Sequence, residues 1–259
     1  MACYTMTTDE GWMPPTGAPA IPPPPYRCEP ESKYMYVFYD RPDNVLERAV
    51  PEPLELAQGD GPRVRIAIGD PIQPPHTHGR YHEGIVSVKV TFDGQMGWYL
   101  PYIWTNNDEA MDTGRLYGWY KQYCDDTPIQ IDGNRIRGDL ERDGDSIISV
   151  KFRSTSAPGD EDALAERLGE LFEGTVYGVK KVPSPEEGGK VLKQVVTTDL
   201  EDVVMHEIWG GDATVELTPT PKYPFLHEFQ PDQRDIVAAF YARPEFILPH
   251  GEVIWDRYE

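Results

Sequence analysis

GIVSVKVTFDGQMGWYLPYIW, residues 84–104, decides the fold class, because its side chains change character at every second position before an Asp-Gly pair interrupts them. Val86, Val88, Val90 and Phe92 fall on one face of an extended chain, and Ser87, Lys89 and Thr91 on the other. This is the pattern of a half-buried antiparallel strand. Asp93-Gly94 supplies a tight turn, so the strand is expected to return as a hairpin through the aromatic run 97–104.

The same pattern recurs on both sides of that hairpin. YMYVFY (34–39) and VRIAIGD (64–70) read as strands, with a short helix between them stopped at Pro51. Beyond the hairpin, Asn106 or Asn107 caps a short helix that begins near Asp108. Strands follow at 129–133, 134–140 and 145–153, joined at Asp132-Gly133 and Asp143-Gly144. Asp160 is expected to cap a helix carrying Leu164, Leu168, Leu171 and Phe172 on one face and ending at Gly174. Strands at 176–182, 191–198, 203–209 and 213–217 complete the reading. About ten strands against three or four short helices argue for a β-rich α+β domain, its antiparallel sheet curled into a barrel or cone. That domain takes in residues 31–259, behind a proline-dense arm over residues 1–30.

Composition narrows the function classes. The chain has 24 basic and 44 acidic residues, a net charge of −20 that repels phosphate backbones and anionic membranes, so nucleic-acid and membrane partners are not expected. Three cysteines without a CxxC spacing indicate neither a disulfide framework nor a zinc knot. With no basic-then-apolar start and no long apolar run, the reading is a soluble cytoplasmic protein.

One lysine lies in an aromatic setting. In NNDEAMDTGRLYGWYKQYC (106–124), Lys121 is accompanied by Leu116, Tyr117, Trp119, Tyr120 and Tyr123. Desolvation there favours the neutral, nucleophilic amine, whereas an ordinary surface lysine lays its stem over a ring and keeps the amine wet. Gly114 and Gly118 are read as turns on either side of Tyr117.

GRLYGWYKQ (114–122) resembles the lysine signature of the acetoacetate decarboxylase family, with Lys121 at the imine-forming position. VPEPLEL (50–56), RYHEG (80–84) and FILPHGEVIWD (246–256) resemble further family elements, in the family's order. The resemblance implies a lyase of the same β-rich architecture, a homo-oligomer that uses no cofactor and acts on small oxo acids. It implies Glu83 as a proton shuttle beside Lys121, with Tyr81 facing the same cavity. Tyr117, Arg115, Trp104 and His250 are then expected to shape the substrate pocket. Arg63, Arg65 and Arg80 are further cations available to an anionic substrate.

Departures from the family pattern refine the reaction. Gln122 stands where acetoacetate decarboxylases carry a second lysine, and Ser32 and Ala67 fall where they carry an arginine and a glutamate. This resembles the branch that keeps the imine-forming lysine but condenses pyruvate with aldehydes as an aldolase-dehydratase. Decarboxylation of a β-keto acid is the alternative. A non-catalytic ligand-binding relative is also compatible with the motifs. A further reading comes from PPHTHGRYHEG (74–84), where His76, His78, His82 and Glu83 resemble the start of a cupin metal site. That pattern expects a glycine where Val90 stands and a second histidine box that is missing here. Solvent or pocket-rim histidines, with no metal, are therefore expected.

Overall fold

The computed structural model describes residues 21–259 apart from Asp60. The described residues form fifteen strands. They are β1 (Tyr26–Cys28), β2 (Lys33–Tyr39), β3 (Glu55–Leu56), β4 (Val64–Asp70), β5 (Glu83–Phe92), β6 (Gln95–Thr105), β7 (Gln122–Tyr123) and β8 (Gln130–Asp132). Then come β9 (Arg135–Arg142), β10 (Asp145–Ser154), β11 (Thr175–Pro183), β12 (Val191–Thr198), β13 (Glu201–Leu217), β14 (Ile236–Leu248) and β15 (Glu252–Tyr258). Three α-helices interrupt them: α1 (Asp43–Leu46), α2 (Asp108–Leu116) and α3 (Glu161–Phe172).

All the strands belong to one sheet, paired in the order β15-β12-β11-β6-β5-β4-β2-β14-β13-β10-β9-β8, with β1, β3 and β7 attached at its sides. The expected β-rich α+β class is present; the pairing path, however, keeps two ends and does not close into a barrel. Curvature folds the sheet over itself instead. A Cβ on Gly138 of β9 would lie 2.8 Å from Ile68 of β4, and one on Gly84 of β5 would lie 2.8 Å from Leu140 of β9. The fold thus encloses a core of Val37, Ile66, Ile68, Val86, Val88, Val90, Leu140, Ile148 and Val150. Each such side chain contributes about 1.5–3 kcal/mol by leaving water.

The hairpin at residues 93–94 forms as read: Asp93 and Gly94 both have positive φ, 48° and 80°, as a type I′ turn requires. Asp143 and Gly144 repeat it at 56° and 83°. The loop between β8 and β9 is different. Asp132 pairs with Arg135, which makes Gly133-Asn134 the two-residue turn, with Gly133 alone at positive φ.

Several expectations are corrected. The polar face of β5 is not open to solvent at Ser87, which is fully buried and accepts a hydrogen bond from Arg65 Nη2 at 3.1 Å. The cover is α3, whose Leu168 and Leu171 pack with Tyr34, Tyr36, Phe38 and Trp98 on that second face. Asp160 precedes α3, but its side chain accepts from Ala157 N rather than from the helix. The two strands expected at 203–209 and 213–217 are one, β13. Gly210-Gly211 lies within it not as a turn but as a place of close approach, where a Cβ on Gly211 would sit 2.1 Å from the Arg153 carbonyl. Of the proline-dense arm, residues 1–20 lie outside the described residues. Its later part is built into the sheet, where Tyr26–Cys28 pairs with β14 and Tyr26 is fully buried.

Candidate active site

Three strand registers and one loop assemble the site. Glu83 opens β5 opposite Gly69 of β4 and Thr105 of β6. The following β7 runs parallel to β6, pairing Tyr123 with the same Thr105, which delivers Lys121 to the end of β5 where Glu83 stands. Helix α2 fixes the other side. Asn107 caps it, its Oδ1 accepting from Ala110 N at 2.7 Å.

Gly118 has the positive φ the sequence suggests, 82°, and packs its Cα where a side chain would meet the Val179 backbone nitrogen at 2.7 Å. Gly114 is not a turn. It lies in the last turn of α2, where a Cβ would stand 2.8 Å from Lys121 Cγ and 2.9 Å from the Trp119 carbonyl. Its missing side chain is the slot for the lysine stem. Gly114→Ala is therefore expected to cost about 1–3 kcal/mol by overpacking and to slow any reaction at the amine. A thermal melt and the rate of covalent trapping on Lys121 measure the two effects.

Lys121 is 7% exposed and Glu83 6%, and Lys121 Nζ lies 3.2 Å from Glu83 Oε2. Removing either member of a buried pair of this kind would leave the other without its partner. Tyr34, which reaches from β2 beside Gly69, donates its hydroxyl to Glu83 Oε1 at 3.1 Å. A Cβ on Gly69 would strike the Tyr34 ring at 2.4 Å, so that glycine makes room for the contact. Burial first, and the Glu83 charge second, hold Tyr34 well above the ordinary phenol range, so it remains a donor. Lys121 Nζ also stands 5.5 Å from the centre of the Tyr81 ring. Tyr81 is 8% exposed, and burial and then Glu83 raise its pKa in the same way.

Lys121, Glu83 and Tyr81 are thus brought together, and Tyr34 joins them as the member sequence reasoning missed. The other pocket residues read from the sequence go elsewhere. Trp104 pairs opposite Gly84 and faces the enclosed core, stacked on Tyr102 at 5.8 Å and against Tyr223 at 5.2 Å, which puts it on the far face of the sheet from Glu83. Arg115 turns outward from α2, its side chain 52% exposed and bonded to Asp112. Tyr117 is buried, but its hydroxyl donates to the Pro249 carbonyl at 2.7 Å and its ring stacks on Trp119, bolting α2 to the β14–β15 turn. His250 is an exposed residue of that turn. Among the other cations, Arg63 binds Asp40 and Asp43, Arg80 is exposed, and Arg65 is held between the rings of Trp98 and Phe172.

The histidines also separate. His76 is exposed, as expected for a solvent histidine, whereas His78 and His82 are buried and not at a rim. His82 faces Asp70 Oδ1 at 2.8 Å and the Asp139 carbonyl at 2.9 Å. His78 faces Gln73 Oε1 at 2.7 Å and Thr113 Oγ1 at 3.0 Å, and Glu83 is taken by Lys121 and Tyr34. Among the described residues no group of three or more His, Cys, Asp or Glu is placed to hold a metal ion. Likewise, none of their helices is long and apolar enough to cross a membrane.

Burial, followed by the nearby Lys121 charge, lowers the His78 pKa from 6.5 to about 4. The unfolded chain therefore binds a proton near pH 6.5 that the folded chain refuses, so stability is full above pH 6.5 and falls as pH drops toward 4. About 2 kcal/mol is expected to be lost from this group between pH 7 and pH 5. Urea unfolding at both pH values checks it: His78→Asn should show the smaller loss.

Residues 12–258 match the family model described as acetoacetate decarboxylase (ADC). The chain belongs to that family. It is 26% identical over 250 residues to the acetoacetate decarboxylase of Clostridium acetobutylicum, a match covering 93% of this chain and 94% of that one. Its fold is similar to that of the acetoacetate decarboxylase from Legionella pneumophila, with a TM-score of 0.78, 19% identity and 99% of each chain covered. It is also similar to the enduracididine biosynthesis enzyme MppR, solved with the condensation product of pyruvate and imidazole 4-carboxaldehyde. There the TM-score is 0.73 at 17% identity, covering 92% of this chain and 93% of that one. The protein is accordingly an acetoacetate decarboxylase-like lysine enzyme, a lyase.

Proposed function

We propose that the chain is a pyruvate aldolase-dehydratase, condensing pyruvate with an aldehyde through an enamine on Lys121. The observation that carries this reading is the lack of charge at three places beside the buried Lys121–Glu83 pair. Gln122 follows the lysine. Ser32 is fully buried, its hydroxyl accepting from Ile72 N at 2.9 Å and from the Cys28 thiol at 3.1 Å. Ala67 lies buried on β4, two residues from the Gly69 that faces Glu83.

The pair suits imine chemistry. Transfer of one proton from the Lys121 ammonium to Glu83 leaves a free amine beside a carboxylic acid, the combination that adds to a ketone and then expels water. Glu83, again a carboxylate, takes a methyl proton from the pyruvate iminium to give the enamine. The low polarity of the buried site makes that internal transfer less costly than separating the charges into solvent would suggest. MppR's complex with a pyruvate condensation product supports the same chemistry on this fold.

Decarboxylation of a β-keto acid is the second reading, favoured by the names of the relatives. Supplying pyruvate with an aromatic aldehyde, and separately acetoacetate, tests the choice. A conjugated, strongly absorbing product from the first with little carbon dioxide from the second is the expected result, and the reverse refutes it.

A further inference from the structure

Gln73 lies between His78 and Tyr81, and the direction of each hydrogen bond in this chain can be deduced. His78 Nε2 is 3.0 Å from Thr113 Oγ1 and His78 Nδ1 is 2.7 Å from Gln73 Oε1, while Gln73 Nε2 donates to the Tyr81 hydroxyl oxygen at 3.5 Å. The His78 ring is packed against Tyr26 at 4.7 Å and edge-on to Tyr81 at 6.2 Å. With a pKa lowered to about 4, first by burial and then by Lys121, the ring is neutral at neutral pH. A neutral imidazole donates from one nitrogen and accepts at the other. Gln73 Oε1 is purely an acceptor, so His78 Nδ1 carries the proton and Nε2 accepts from the Thr113 hydroxyl.

The Gln73 amide has its oxygen on the His78 side and its nitrogen on the Tyr81 side. With its oxygen held by His78, its NH2 must face Tyr81. The Tyr81 oxygen then accepts a hydrogen bond, and its own proton is directed away from Gln73. We propose that Gln73 and His78 are positioning residues which aim the Tyr81 hydroxyl proton at the substrate bound to Lys121, making Tyr81 the acid of the carbon–carbon bond-forming step. Anchoring runs back to the lysine itself, because Thr113 precedes the Gly114 that touches the Lys121 stem.

The step balances without an added reagent. The enamine carbon's electron pair forms the new bond to the aldehyde carbon, and the carbonyl π pair moves to the aldehyde oxygen. That oxygen takes the proton from Tyr81, while the enamine nitrogen becomes an iminium. The Tyr81 phenolate is stabilised by the Gln73 Nε2 donor and is reprotonated by Glu83, which holds the proton it removed from the pyruvate methyl group. Glu83 ends as the carboxylate with which it began.

This assignment rests on the aldolase reading, and the test keeps the two distinguishable. Gln73→Glu is nearly isosteric, but its carboxylate accepts both from His78 and from the Tyr81 O–H, which turns the Tyr81 proton away from the substrate. In that variant, borohydride trapping of pyruvate on Lys121 and deuterium exchange into the pyruvate methyl group are expected to stay within about twofold of the unaltered protein. Condensation of pyruvate with benzaldehyde is expected to fall by about 100-fold, the low end of what general acid catalysis supplies. His78→Asn offers an N–H near the position of Nδ1 and should retain most of the condensation rate, whereas His78→Leu frees the Gln73 amide to rotate and should lose it. Unchanged condensation in folded Gln73→Glu protein, or equal rates for His78→Asn and His78→Leu, would overturn the positioning role while leaving the imine reading intact. Failure of the unaltered protein to form a trapped adduct would overturn both.

Discussion

Lys121→Ala is expected to leave no borohydride-reducible adduct with pyruvate or acetoacetate and to lower turnover by between about 10⁴ and 10⁶, the range found when a covalent nucleophile is removed. The amine is the nucleophile, and it stands 3.2 Å from the carboxylate that exchanges protons with it. The substitution also has a structural consequence. It leaves Glu83 buried with only the Tyr34 hydroxyl as partner, and an orphaned buried charge costs about 3–5 kcal/mol unless it takes up a proton. A lost activity by itself would therefore be ambiguous. The double variant Lys121→Ala, Glu83→Gln removes both charges and is expected to regain most of the stability while remaining inactive. Glu83→Gln alone should slow turnover yet keep a reducible imine. An adduct that maps by mass spectrometry to a different lysine, in folded protein, would end the assignment of Lys121.

What the sequence discloses about this site depends on how local the cause is. The Asp93-Gly94 and Asp143-Gly144 turns were legible because positive φ is a property of two adjacent residues. That Lys121, Glu83 and Tyr81 lie close together is legible through motifs carried within a few positions. The face that Trp104 takes is not legible, because β6 is aromatic on both faces and slips register against β5 between Val86 and Val88, so counting by twos does not reveal which ring faces Glu83. Arg115 turns away from the pair for a helical reason: three residues from Asp112 on α2, it finds its partner on the exposed side. Tyr34 escaped notice because its relation to Glu83 runs across β4, through a glycine that means nothing until Gly69 is known to pair with both. The strand β14 was overlooked although it joins β2 to β13; its Pro244 falls next to an irregularity in the β13 register, where a missing donor is tolerated. Gln73 and His78 belong to a loop with one isolated bridge, Ile72 to Arg80, and their partner Thr113 lies on α2.

Acetoacetate should release carbon dioxide about two to four powers of ten more slowly than in a relative with charged residues at the places of Gln122, Ser32 and Ala67. Enamine formation from pyruvate should be spared. Losing carbon dioxide requires the carboxylate to be held out of the imine plane so that the breaking bond overlaps the π system, and charged contacts accomplish that holding. Such contacts are worth roughly 1.5–3 kcal/mol each, so two missing ones account for the expected factor. Here Ser32 spends its hydroxyl on Ile72 and Cys28, and the thiol, pushed up to about 12 by burial first, with the Ser32 contact pulling it down and the Glu83 charge adding a smaller rise, supplies no anion. Ala67 has only a methyl group. Proton removal from a pyruvate iminium needs no such contact, only the carboxylate that already lies against Lys121. Restoring charge offers the sharpest check. Gln122→Lys should raise carbon dioxide release from acetoacetate while leaving the condensation rate no higher, with both followed in the same preparation. Fast release in the unaltered protein, with no condensation over a panel of aldehydes, would return the chain to the decarboxylases.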